Sequence, residues 1–448
     1  MPSPLQPPAG VCAVVAPRSA QAEARLTDTA RRSPKNRRLA SVTRTLPDRA
    51  QGAPQAQPLA ALAASLNSWV EVDLDRLAAN VAALRGVLGP AVDLIAVVKA
   101  DAYGAGVELL APALWDAGVT KYAVVWVDEG IALRQILPLA EIIVLGHTPS
   151  GRAQAAVDAA LTLTLDTLAL ANELATAAAT SGKVAEVHIH IDSGLHRDGV
   201  TPDEGVALAA AVQALPGVEI TGVSTHMANA DEVDDHYSDG QALAFVSALD
   251  ALGWARYRHA ANSATALRRP ELRFDGVRVG LALHGLVPEN TPSAGLEPIL
   301  SVHARLIRVT SLVPGDGVGY GLAWRAARPS RVGLIPVGYA DGWKRSLAGA
   351  GEVLVRGRRC PMVGRVMMDQ FVIDVTDVAG VEAGDEAVLL GSQGGDTISG
   401  WDVARAAGTI AWDITASLTG RLPRIAHRGG AVVETRGVTE DPVSAGQA

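Results

Sequence analysis

The stretch LIAVVKADAYGAGVELLAPALWDA, Leu94 to Ala117, sets the pattern for most of the chain. It opens with a short apolar run, Leu94 to Ala100. A punctuating Tyr103-Gly104 follows, then a longer alanine- and leucine-rich segment from Gly106 to Ala117. A strand of parallel-sheet type followed by a helix fits this order, because strands covered on both faces are apolar throughout. Seven further apolar runs follow: Tyr122 to Val127, Glu141 to Gly146, Leu161 to Leu165, Val187 to Asp192, Ile220 to Met227, Tyr257 to Asn262 and Gly276 to Leu283. Helical patterns occupy the spaces, for example Leu77 to Leu88, Leu168 to Ser181, Asp203 to Leu215 and Ser238 to Leu252. Eight strands alternating with helices predict a (β/α)8 barrel, an α/β fold.

Beyond about Leu296 the pattern changes to valine-rich strands separated by turns such as Pro314-Gly315-Asp316 and Gly384-Asp385, with one helix near Trp401 to Ala407. This predicts a smaller, mostly β domain. The expected organisation is a disordered N-terminal extension over 1–67, the barrel over 68–297, the β domain over 298–436 and a tail over 437–448. The extension carries Arg18, Arg25, Arg31, Arg32, Arg37, Arg38, Arg44 and Arg49 with few acids and no sustained periodicity. It lacks the apolar stretch of a secretory signal.

Charged residues make up 19% of the chain and hydrophobic ones 48%, with only 4% aromatic, so the interior must be built from Ala, Val, Leu and Ile. The formal charge of -8 argues against broad nucleic-acid binding. No run reaches the 18 or so apolar residues of a spanning helix, so no membrane partner is expected. Two cysteines, Cys12 and Cys360, make no disulfide framework, and a reducing cytoplasm is the expected compartment.

Lys99 ends the first barrel run, where an amine is suited to Schiff-base chemistry. The segment AVVKADAYGAG, Ala96 to Gly106, resembles the pyridoxal 5'-phosphate (PLP) attachment site of the alanine racemase family. Further motifs recur in that family's order: DSGLHRDGV from Asp192, STHMANAD from Ser224, ANSATALR from Ala261, VRVGLALHG from Val277, GYG from Gly319, GYADGW from Gly338 and GRVMMDQ from Gly364. The resemblance spans nearly everything from Trp69 to Arg424. It implies racemisation by two bases, Lys99 on one face of the substrate and Tyr320 on the other. Tyr320 would reach the partner subunit's site, so a homodimer is implied.

The same resemblance implies that Arg278 faces the pyridine nitrogen, His226 packs on the ring, and Tyr103, Asn262, Ser263, Gly280, Leu281 and Tyr339 complete the cofactor set. Arg197, Met368 and Asp369 would meet substrate. A guanidinium does not readily release its proton, so Arg278 would leave the pyridine unprotonated and favour exchange at Cα over transamination. Lys99, Arg197, His226, Asn262, Ser263, Arg278, Gly280 and Leu281 fall at the C-terminal ends of the predicted strands, where barrel enzymes place chemistry. His188, His190, Asp192, His196 and His226 invite a metal-hydrolase reading, but Lys99 with the phosphate set explains the same mouth more completely, and no metal is expected.

Two positions depart from the family. Where many members carry a carbamylated lysine that orients the arginine here numbered Arg197, this chain has His190. Where a tyrosine usually precedes Arg-Val-Pro-Arg, this chain has Gly420 in Thr419-Gly420-Arg421-Leu422-Pro423-Arg424. Alanine racemase activity feeding peptidoglycan synthesis is the leading expectation. The alternatives are a racemase of broader or shifted specificity, such as for serine, a PLP decarboxylase of the same architecture, and a non-catalytic PLP-binding protein.

Overall fold

A computed structural model describes residues 57–438. Strand β1 is Ser68–Asp73; the barrel strands are β2 Asp93–Val97, β3 Lys121–Val124, β4 Glu141–Val144, β5 Thr162–Leu165, β6 Ala185–His190, β7 Val218–Ser224, β8 Arg258–His259 and β9 Gly276–Val279. They run parallel in the order β9-β2-β3-β4-β5-β6-β7-β8. Asp275 N donates to Arg258 O at 3.0 Å and Arg278 N to Ala261 O at 2.9 Å, which draws β8 and β9 together. The eight parallel strands thus form a nearly closed barrel. Each lies at an apolar run expected to be a strand.

Period-two alternation explains how these runs serve two environments. On β2, Ile95 and Val97 pack into the barrel interior with Ala123 and Ile143, while Leu94 and Ala96 face the large cluster under the helices. The helices obey ordinary end rules. Thr201 and Glu204 form a capping box at Pro202–Gln213, and Gly182, in the left-handed region at φ 61°, closes Leu168–Ser181.

The strands are shorter than the apolar runs. The run Leu94 to Ala100 is strand only to Val97, and Tyr257 to Asn262 only over Arg258–His259. In both, the remaining residues turn into the loops at the barrel mouth.

The C-terminal sheet comprises β10 Leu300–Arg305, β11 Arg308–Leu312, β14 Ser330–Ile335, β15 Glu352–Val355, β16 Arg358–Val363, β17 Phe371–Asp374, β18 Glu386–Gln393, β20 Arg424–Arg428 and β21 Ala431–Arg436. β12 Gly317–Val318 and β13 Trp324–Arg325 form a separate hairpin, and β19 Asp396–Ile398 pairs with β18. The mostly β second domain thus follows the barrel as expected. Helix Gly400–Ala407 is also present, and a second helix, Ala411–Ser417, was not anticipated.

One strand crosses the expected division at 297/298. β1 lies between β10, antiparallel, and β20, parallel, inside the C-terminal sheet. Its last residue, Asp73, caps the first barrel helix, Leu74–Leu88, by accepting from Asp75 N and Arg76 N at 3.0 Å. The chain therefore passes from a strand of the C-terminal sheet directly into the first barrel helix without a linker. Of the expected 1–67 extension, residues 1–56 lie outside the described residues, as do Cys12 and the tail beyond 438. Residues 57–67 include helix Leu59–Ala63, which packs on Trp69 and Ile425. Its apolar side chains have the edge of the C-terminal sheet to cover.

The barrel seam carries a buried ion pair. Asp275 accepts from Arg258 N at 2.8 Å, Nε at 2.7 Å and Nη2 at 3.1 Å, both side chains being nearly inaccessible. Asp275→Ala is expected to cost about 3–5 kcal/mol by stranding the guanidinium between β8 and β9. Urea unfolding of the two proteins measures this.

Candidate active site

Beyond β2 the backbone does something that few sequences tolerate. Ala100, Asp101, Ala102 and Tyr103 all have φ between 51° and 56°, a full turn of left-handed helix, and Gly104 follows at φ 87°. L-residues pay about 1–2 kcal/mol each for this conformation. Several groups hold the turn. Glu129 accepts from Ala100 N at 2.8 Å, Asp101 accepts from Val107 N at 2.9 Å and pairs with Arg436, and Gly104 O accepts from Arg424 Nε and Nη2 at 3.2 and 3.1 Å. A Cβ on Gly104 would stand 2.1 Å from Thr415 O, so this glycine is required by space as well as by φ.

Lys99 stands immediately before the turn, two residues past β2 and half-buried. Burial lowers its proton affinity first, and the charge of Arg197 lowers it further, against Glu129, which raises it. Tyr103, buried among the barrel side chains, is pushed above the ordinary phenol range by burial. Its hydroxyl lies where a Cβ on Gly280 would come within 2.4 Å. Gly280 N and Ala282 N both converge on Ser263 Oγ at 3.3 Å. Glycine, two amides and two hydroxyls thus meet after β8 and β9, a donor set suited to a phosphate.

Arg278 is 4% exposed, and its hydrogen-bond partners among the described residues are carbonyls and imidazoles. It donates to His259 O at 2.6 Å, Thr225 O at 2.7 Å and Ala260 O at 3.0 Å, and to Nδ1 of His259 and His226 at 2.7 and 3.1 Å. Burial, then Arg197, brings its pKa down to about 10, so it stays charged at neutral pH. Because arginine cannot accept, both histidines must accept at Nδ1 and carry their proton on Nε2. His259 Nε2 then donates to His188 Nδ1 at 2.8 Å. Burial followed by the Arg278 charge holds His226 and His259 well below the ordinary imidazole range.

The remaining expected residues divide. Asn262 spends its carbonyl oxygen on Thr265 N and Oγ1, at 2.9 and 3.0 Å, as a helix cap. Leu281 lies between the two amides of the cradle. Asp369 is bonded to Arg421 at 2.8 Å, and Met368 and Tyr339 are exposed nearby, with Tyr339 N and Ala340 N donating to Met367 O and Met368 O. Arg197 donates Nε to Asp198 at 2.8 Å. Tyr320 does not join this group within one chain; it follows β12 in the hairpin, 72% exposed, beside Gly321 and Arg365. At the departures, His190 bonds Ser224 Oγ at 2.9 Å and is held down to about 4, mainly by burial, while a Cβ on Gly420 would meet nothing within 4 Å.

Two residues escaped the sequence reading. His259 links Arg278 to His188, and its only signal was its place on a strand two residues before Ala261. Glu129 sits at the third position of helix Val127–Ile136, where a glutamate usually means a cap. Among the described residues no group of three or more His, Cys, Asp or Glu is placed to hold a metal, and no helix is long and apolar enough to cross a membrane.

A half-buried amine, an amide cradle and a buried guanidinium around one barrel mouth define a lysine-centred barrel enzyme. The family models for the N-terminal and C-terminal domains of alanine racemase match residues 72–288 and 299–426. The chain belongs to the alanine racemase family. It is 39% identical over 379 residues to the alanine racemase of Desulfosudis oleivorans, covering 81% of this chain and 97% of that protein. The alanine racemase of Halothermothrix orenii is 38% identical over 363 residues, covering 80% and 96%. Among solved structures, alanine racemase from Bacillus anthracis with bound L-Ala-P is 36% identical at a TM-score of 0.78, covering 82% of this chain and 97% of that one. That from Bartonella henselae, with covalently bound pyridoxal phosphate, is 27% identical at 0.75, covering 81% and 100%.

The buried histidines give the fold a pH signature. His188 takes a proton only near about 3 and His190 near about 4 when folded, against about 6.5 when unfolded. Their contribution is complete above about pH 6.5 and is lost as pH falls, by about 1.4 kcal/mol per unit for each group. Denaturant midpoints should therefore drop between pH 6.5 and 5, and His188→Asn should flatten that slope.

Proposed function

We propose that the chain racemises alanine with PLP, interconverting the L- and D-forms, with Lys99 and Tyr320 as the two bases. The observation that carries this reading is the pairing at one mouth of a lysine whose proton affinity is lowered with a buried guanidinium that keeps its proton. The residues fit the cofactor: Gly280, Ser263 and Tyr103 would supply the phosphate donors with Leu281 and Tyr339 bordering them, Asn262 orders the loop behind them, Arg278 would face the pyridine nitrogen and His226 would pack on the ring. PLP, when bound, supplies the electron sink that makes the Cα proton of an amino acid removable.

The protein's own groups then decide which bond breaks. Lys99, with burial opposing its charge, is available as a neutral amine to take a proton from Cα or return it. Arg278 keeps its proton, so it would leave the pyridine of a bound cofactor unprotonated and favour exchange at Cα. Arg197, Met368 and Asp369 receive the substrate carboxylate side. Tyr320 of the partner subunit serves the opposite face, a reading supported by its exposure on a hairpin together with exposed Leu322 and Met368. A homodimer with two composite sites follows, and the cytoplasm, where D-alanine enters peptidoglycan precursors, is its compartment.

A second reading, broader specificity, is favoured by the open space at Gly420. Purified protein with added PLP should form D-alanine from L-alanine. Lys99→Ala and Tyr320→Phe should each abolish this; retention in either would remove that residue from the two-base scheme. Gly420→Tyr should lower kcat/KM for serine more than for alanine. One lost methylene-sized space is worth about 1–3 kcal/mol, so a change of about tenfold in the ratio is expected. An unchanged ratio would show that Gly420 does not widen the pocket.

A further inference from the structure

We propose that Glu129 is a positioning residue for Lys99, its carboxylate fixing the first peptide after the lysine and so setting where the amine stands at the barrel mouth. The inference rests on Lys99 being the cofactor-bearing amine. One oxygen of Glu129 accepts from Ala100 N at 2.8 Å; the other accepts from Val125 N at 2.8 Å and Trp126 N at 3.0 Å. A single side chain thus bridges the segments leaving β2 and β3. Within the left-handed turn, Ala102 N and Gly104 N find backbone acceptors at Val98 O and Ala100 O, at 3.0 and 3.1 Å. Ala100 N is taken by Glu129.

The far end of the turn has separate clamps in Asp101 and Arg424, so Glu129 governs the end that carries the amine. Its charge acts in the same place. The groups bearing on Lys99 are Arg197, from the loop after β6, which opposes protonation, and Glu129, from helix Val127–Ile136, which favours it. His226, after β7, is also in electrostatic reach and is neutral. Asp198 offsets Arg197 from the outer side.

Glu129→Gln separates positioning from capping. The one remaining oxygen is held by two donors, Val125 and Trp126, so the new amide nitrogen faces Ala100 N–H, donor against donor. The helix start keeps its cap, and the contact beside Lys99 is broken.

The test uses the full chain stripped of cofactor. PLP is added back across a pH series, the Lys99 adduct is trapped with borohydride and located by mass spectrometry, and kcat and KM are measured on the loaded protein. For Glu129→Gln the pH midpoint of capture should move down, because the amine loses the charge that favours its protonated form. The kcat should fall about tenfold or more, as expected for a displaced catalytic group, with KM within about twofold. A wild-type midpoint together with wild-type kcat would overturn the proposal.

Glu129→Asp keeps the charge but withdraws from Ala100. It should retain the midpoint and lose kcat, and it decides the matter if the Gln variant does not fold; an unchanged kcat there also overturns the proposal. Capture at Lys99 does not require turnover, so a wild type that binds PLP yet racemises nothing would refute the racemase reading while the midpoint shift still tests Glu129.

Discussion

Everything at this barrel mouth depends on keeping Ala100 to Tyr103 left-handed. A right-handed turn would follow β2 at no conformational cost, so four residues at positive φ persist only because their surroundings leave no alternative. The constraints come from both parts of the molecule. Glu129 and Asp101 act from the barrel side, whereas Arg424, 1% exposed, donates to Gly104 O and to the carbonyls of Leu418, Thr419 and Leu422. Thr415 O fills the space where a Gly104 side chain would stand. The second domain is therefore part of the device that places Lys99. The entry of β1 into the C-terminal sheet, with Asp73 capping the first barrel helix, keeps the two parts in fixed register.

The opposite wall of the mouth meets a second constraint, that of a buried cation whose hydrogen-bond partners among the described residues are all neutral. Arg278 is solvated by three carbonyls and two imidazoles in place of water, which removes much of the desolvation penalty while leaving its charge unneutralised. The histidines can perform this task only when neutral and with Nδ1 free, and the guanidinium itself enforces both conditions. A carboxylate in their place would neutralise the charge. The chain of donors from Arg278 through His259 to His188 thus fixes the polarity of the site from within the barrel.

How far this was legible in the sequence follows from the range of the forces involved. Most barrel strands are readable because they are largely buried and rich in apolar residues, although β6 and β7 include exposed Glu186 and Glu219 and β8 is Arg258–His259. The helices Leu168–Ser181 and Pro202–Gln213 show clear spacing and end signals. Strand β1 also reads as a strand, but nothing in Ser68–Asp73 states which sheet it joins, since its partners lie more than two hundred residues away. Helix Ala411–Ser417 is short, with Asp413 and Thr415 interrupting its apolar spacing. Lys99, Arg278 and Gly280 are recognisable as a set only through motif resemblance; the residues that hold them, His259 and Glu129, act across strands and leave almost no local mark. The left-handed turn is the extreme case, because Ala-Asp-Ala-Tyr is an ordinary composition for a right-handed helix.

Two positions, His190 and Gly420, depart from the family pattern. His190 is neutral and committed to Ser224, so it offers Arg197 no charge, and the arginine turns to Asp198 on the exposed rim. An exposed ion pair of this kind holds a side chain with about 0–1 kcal/mol, less firmly than a buried partner would. At Gly420 the phenol usual in the family is missing, and among the described residues no atom beyond its chain neighbours lies within 4 Å of where a Cβ would stand. By contrast, the cradle of Gly280, Ser263 and Tyr103, the guanidinium of Arg278 and the turn beyond Lys99 are each held by several contacts at once. Changes there would propagate through packed atoms, as would a change at His190, which burial keeps neutral, whereas Gly420 is exposed. The mouth therefore combines packed groups that hold the chemistry with one exposed position, Gly420, where an added side chain would meet solvent.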